Sequence, residues 1–160
     1  MSDFSSSWSL SRKRFLDEIT GLNQAQLNWR LHPRALSIGE MAIHVAGVEV
    51  SFGSQLLGAE LDEQGALLKR SATEGVVNDL SFPVSESDIT PESVAEALEY
   101  ARKLWEPLIT TADPEIRQRE IVSALGPVIT GEGAFARLAF HSAYHQGQAY
   151  QIKTAPGFPE

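Results

Sequence analysis

The stretch SIGEMAIHVAGVEVSFGSQLL, residues 37–57, decides the fold class. It opens with Ser37-Ile38-Gly39-Glu40, which fits a capping box: the Ser37 hydroxyl and the Glu40 carboxylate reciprocally satisfy two free backbone amides at a helix start. From there Ile38, Met41, Ala42, Val45, Val48 and Phe52 recur at helical spacing and mark one apolar face. The pattern predicts a helix to about Leu57, with His44 at the margin of its core face beside Met41 and Val48.

Three further helical patterns flank this one. Upstream, Trp8, Phe15, Ile19 and Leu22 form a stripe that predicts a helix over Trp8–Leu22, leaving Arg12, Lys13, Asp17 and Glu18 for water. A turn through Leu27-Asn28-Trp29 and an extended His32-Pro33-Arg34 follow, since the residue before proline avoids the helical region. Downstream, a long polar connection from Gly58 to Asp88 holds a short helical piece at Gln64–Arg70; a connection of this length in a small domain is functional or an elaborated crossover. Thr90-Pro91 opens a third helix with an N-cap and a first-turn proline, and Pro107 is expected to kink or end it. Glu120-Ile121-Val122 and Pro127-Val128-Ile129 read as short extended pieces. The fourth helix starts near Gly131–Gly133 and runs to about Ile152, with Phe135, Leu138, Ser142, His145, Ala149 and Ile152 along one side. Four strong helical patterns with few strand candidates predict an all-α protein, a four-helix bundle.

At 160 residues and 42 % hydrophobic, the chain is expected to form a single domain over 1–160 with one real core. It has no cysteine, which excludes a disulfide framework, a Cys-based zinc site and a cysteine nucleophile. A net charge of −8 repels phosphate backbones, so nucleic acid is not an expected partner. Arg12-Lys13-Arg14, the densest basic cluster, reads as a solvated helix face. The polar start, Met1 to Ser7, has no apolar run after a basic region, and no stretch is long enough to span a membrane. A cytoplasmic protein without membrane association is expected.

Chemistry concentrates on the histidines, of which there are four. His141 and His145 are four apart on a predicted helix, which puts both imidazoles on one face within reach of a shared metal ion. His44 adds a third imidazole at the edge of another core face, where a neutral ring needs a partner. Three protein ligands and an open position are the usual design of a catalytic zinc-type centre; three hydrogen-bonded histidines without metal are the ordinary alternative. His32 reads as structural or exposed. Glu40, one turn before His44, is a candidate fourth ligand or general base, although the capping box already employs it. Gln148, three after His145, is a candidate to orient a ligand or a metal-bound water. Arg137, one turn before His141, is a candidate to meet an anionic substrate group, with a solvated arginine as the ordinary reading. Tyr144 and Tyr150 are expected elsewhere on the helix. No phosphate-binding loop, G-x-S-x-G or H-E-x-x-H motif is present.

Leu27-Asn28-Trp29-Arg30, His32 to Glu40 with Ser-Ile-Gly-Glu at its end, and then His44-Val45-Ala46 with Glu49 resemble the second-helix signature of the DinB/YfiT-like family. His141-Ser142-Ala143-Tyr144-His145-Gln146-Gly147-Gln148 is similar to that family's H-x-x-x-H-(R/Q)-G-Q motif. Leu36 departs from the aromatic residue often found before Ser-Ile-Gly-Glu, and the Gly58–Asp88 connection is a variable region. The resemblance implies a helical bundle, often a homodimer, with a divalent metal ion (Zn, Ni or Fe) on His44, His141 and His145. It implies in turn a metal-dependent enzyme acting on a small molecule, either a thiol S-transferase with a low-molecular-weight thiol such as bacillithiol or mycothiol as cosubstrate, or a hydrolase. A non-enzymatic stress-response or binding bundle with a structural metal is the alternative.

Overall fold

The Ser37 capping box forms as read: Ser37 Oγ accepts from Glu40 N, and a Glu40 carboxylate oxygen accepts from Ser37 N. In the computed structural model, which describes residues 4–111 and 113–160, the helix it starts runs over Ile38–Leu57 (α3). Before it come α1 (Ser5–Ile19) and α2 (Gln24–Asn28); after it come α4 (Glu63–Ser71), α5 (Pro91–Thr111), α6 (Pro114–Gln118), strands β1 (Glu120–Val122) and β2 (Val128–Thr130), and α7 (Gly131–Lys153). The protein is mostly helical. The strands form one antiparallel hairpin that pairs Glu120 with Thr130 and Val122 with Val128. No helix among the described residues is long and apolar enough to cross a membrane. Residues 1–3, part of the polar start noted above, lie outside the described residues.

α3 is the centre of the molecule. It packs against α5, α4 and α7, while α1 packs against α7. Every residue of α3 except Gln55 and Leu57 is buried, so the single apolar face expected from sequence is too narrow a description. Neighbours on several sides enclose the helix, and the polar groups it carries inward are partnered. Glu40 binds Arg30 through a two-pronged pair, Nη1 to Oε2 at 2.6 Å and Nη2 to Oε1 at 2.7 Å. Glu49 accepts from Trp8 Nε1 at 2.9 Å and from Arg12 Nη1 at 2.6 Å. Arg12 also donates to the Leu98 carbonyl, so one guanidinium ties α1 to α3 and α5.

That contact corrects the reading of Arg12 as solvated: it is 4 % exposed, whereas Lys13 and Arg14 do face water. The first helix also begins and ends earlier than expected. Thr20 is already extended and Gly21 takes φ +84°, a left-handed conformation that stops the helix before Leu22. The turn expected at Leu27–Trp29 is instead mostly helix: α2 takes in Leu27 and Asn28, started by a second capping box of Asn23 and Gln26. α5 passes through Pro107 and ends at Thr111.

The Gly58–Asp88 connection contains α4 close to where the sequence suggested a helical piece. α4 crosses α3 at Gly47. A Cβ at that position would lie 2.3 Å from the Leu68 carbonyl oxygen and 2.9 Å from Ala72 N, so only glycine permits this approach. The crossing brings the last turn of α4 onto the face of α3 that carries His44.

Candidate metal centre

His44 rises from the middle of α3, and His141 and His145 from successive turns of α7. Helical geometry puts His141 and His145 on one face, and α7 packs directly on α3. Each ring offers one nitrogen to a common point, and these three nitrogens lie within 4.8 Å of one another. The ring centroids are 5.1 Å apart for His44–His141 and for His44–His145, and 4.6 Å for His141–His145.

Two of the rings are fixed by hydrogen bonds on their far side. His44 Nδ1 donates to the Ser71 carbonyl at 3.1 Å, at the end of α4. His145 Nδ1 donates to Gln148 Oε1 at 2.7 Å, and Gln148 Nε2 donates in turn to the Tyr144 hydroxyl at 3.2 Å. Carbonyl oxygens only accept, so both rings hold their proton on Nδ1 and turn the lone pair of Nε2 inward. Among the described residues His141 Nδ1 is buried without a hydrogen-bond partner, and His141 Nε2 lies 3.1 Å from His145 Nε2. Two nitrogens bound to one tetrahedral zinc at ~2.0–2.1 Å would lie about 3.3 Å apart, close to the spacing found.

All three rings are held neutral. Burial lowers His44, with the Ser71 bond opposing. Burial, and then the neighbouring imidazoles His145 and His44, push His141 well below the usual histidine range. Burial and His44 lower His145 to about 4. Neutral imidazole is the ligating form, so the donor set fits a divalent transition metal without first losing protons.

The histidines line a cavity of about 980 Å³ whose other walls are largely apolar, among them Met41, Val48, Phe52 and Leu138. Tyr144, expected elsewhere on the helix, also lines it and packs edge-on against His145 with centroids 5.0 Å apart. Tyr150 is exposed, as expected. Glu40 follows the capping-box reading: Ser37 N and Arg30 engage its oxygens, and it is absent from both the ligand group and the cavity wall. His32 is exposed at the cavity. The structure brings Gln148 to His145 and Arg137 to the cavity wall. Sequence reasoning missed the Ser71 carbonyl, a main-chain atom that no residue type announces; the only local signal was Gly47 inside an otherwise regular helical pattern.

The family model of the DinB superfamily matches residues 7–149, a span that contains all three histidines. No curated protein and no solved structure matches the chain.

Proposed function

This chain belongs to the DinB superfamily, and from that premise we propose that it is a metal-dependent enzyme whose divalent ion, Zn, Ni or Fe, is held by His44, His141 and His145. The observation that carries the reading is the convergence of three neutral imidazoles on one point at the wall of an apolar cavity. Such an ion, kept at its full charge by neutral ligands, lowers the pKa of a thiol or water delivered to its remaining positions. A closed structural site would call for a fourth protein ligand, and among the described residues the group stops at three. That favours catalysis over the structural alternative.

The protein's own residues prepare the site. Ser71 and Gln148 fix which nitrogen of His44 and His145 faces the ion, and Tyr144 holds Gln148 in place. The largely apolar walls suit the body of a small-molecule substrate. Since the chain has no cysteine, a thiol-transfer reaction takes its thiol from a low-molecular-weight cosubstrate, as in the family members it resembles. A hydrolase would use the same three histidines. The proposed architecture is a single domain built as a four-helix bundle of α1, α3, α5 and α7. The family habit supports a homodimer, and the acidic, cysteine-free composition a cytoplasmic protein that does not bind nucleic acid.

The test is elemental mass spectrometry on untagged protein beside His145→Ala and Gln148→Ala. Near-stoichiometric metal is expected in the parent and little in His145→Ala. Gln148→Ala, which removes the amide that orients His145 and its bond to Tyr144 but leaves all three imidazoles, should lower affinity by roughly 10–100-fold. A parent that holds no metal even after incubation with zinc, nickel or iron overturns the assignment. If metal is present, thiol-transfer and hydrolase screens follow.

A further inference from the structure

We propose that the cavity selects organic anions, small apolar-bodied molecules carrying a carboxylate or similar oxyanion, and that Arg137 receives the anionic group. The inference deepens the functional reading above and rests on it for the role of the ligand as substrate; the binding itself needs no metal.

The argument starts from how this chain treats its arginines. Four others are buried or half-buried, and each is paired with a carboxylate: Arg12 with Glu49, Arg30 with Glu40, Arg102 with Glu99 and Glu106, and Arg117 with Glu132. Arg137 is half-buried too, yet among the described residues its hydrogen-bond partner is a neutral hydroxyl, Ser123 Oγ, at 3.0 Å from Nη1. Ser123 is itself buried, in the turn between β1 and β2. Guanidinium has five N–H donors, so most of its donor capacity remains free. Partial burial of a cation is costly unless a charge of opposite sign compensates it.

The composition of the wall points the same way. The chain carries 21 acidic residues against 13 basic ones. Among the described residues none that lines this cavity is acidic, while Arg137 and the exposed Arg34 both line it. Two arginines and no acid along this wall, in a chain of net charge −8, are a local departure that suits an anion and not a cation.

Placement connects Arg137 to the histidines. Arg137 precedes His141 by one helical turn, about 6 Å along α7, and both line the cavity. An anion gripped by the planar fork of Arg137 would lay the adjoining atoms of the ligand toward the three histidines, with the apolar body against Met41, Phe52 and Leu138.

The test uses N-phenyl-1-naphthylamine as a fluorescent cavity reporter, displaced either by octanoate or by 1-octanol, which share a chain and differ in the head group. It is run on metal-free and zinc-loaded protein. Octanoate should displace the reporter at about tenfold lower concentration than 1-octanol, the range expected of a charge-assisted hydrogen bond. Arg137→Gln should erase that preference, and Arg14→Gln, an exposed position on α1, should keep it. The inference is overturned if wild-type protein prefers octanol or shows no preference, or if folded Arg137→Gln still prefers octanoate. A preference seen only with zinc also overturns it, because the metal would then hold the carboxylate. Should Arg137→Gln not fold, the wild-type comparison decides alone. A protein that takes up no metal but keeps the octanoate preference refutes the metal assignment and leaves this inference standing.

Discussion

Replacing Gly47 with alanine tests whether α4 braces the proposed metal centre. A Cβ at position 47 would sit 2.3 Å from Leu68 O, 2.9 Å from Ala72 N and 3.1 Å from Ser71 C. These are main-chain atoms, so no side chain can rotate away, and α4 must retreat by about 1 Å to restore ordinary contact. The His44–Ser71 bond, 3.1 Å in the structure, runs along the same crossing and would open to about 4 Å, beyond hydrogen-bond range. Overpacking costs about 1–3 kcal/mol, and an orphaned buried imidazole N–H adds about 1–3 kcal/mol. Better helix propensity returns at most about 1 kcal/mol. The net loss is about 3 kcal/mol, which lowers Tm by roughly 6–12 °C for a chain of this size. Zinc affinity, read by competition with a chromophoric chelator, should fall by about tenfold or more as the His44 ring loses its orientation. The matched control is Gly147→Ala in α7, where a Cβ meets nothing within 4 Å. It should raise stability by up to about 1 kcal/mol and leave zinc affinity alone. A Gly47→Ala protein that melts at the wild-type temperature and binds zinc as tightly would refute the bracing role of α4.

Glu49→Ala strands the Arg12 charge and the Trp8 indole N–H in the interior, and should cost about 3–5 kcal/mol in urea denaturation; a loss under about 1 kcal/mol would contradict the pairing. The pH dependence of the metal-free protein follows from the depressed histidines. Below about 6.5 the unfolded chain takes up protons that the buried rings refuse, so stability is full above that pH and is lost as pH falls toward about 4, where His145 titrates. Burial raises the Glu49 carboxyl and works in the opposite sense, so thermal melts from pH 8 to 4.5 should be run in Glu49→Gln as well; a flat profile in both would count against the buried, neutral triad.

What the sequence made legible is what lies close together along the chain. His141 and His145 share a helix face at fixed spacing, and Gln148 reaches His145 from one turn further on, so α7's part of the site could be read residue by residue. The Ser37 and Thr90 helix starts were legible for the same reason. Arg12 was misread although a local signal existed: Trp8, Arg12, Phe15 and Ile19 fall at helical spacing on one stripe, and the run of basic neighbours outweighed that periodicity. Its acid partner stands 37 residues away on α3, where no spacing rule reaches. His44 marks the firmer boundary. Its residue type and helix could be read as a candidate ligand, but which of its nitrogens is free to bind depends on a main-chain carbonyl 27 residues downstream. That carbonyl arrives only because α4 crosses α3 where residue 47 has no side chain. The long connection after α3 is therefore part of the candidate site: it sets the tautomer of one imidazole, and with it the direction in which that ring's lone pair points.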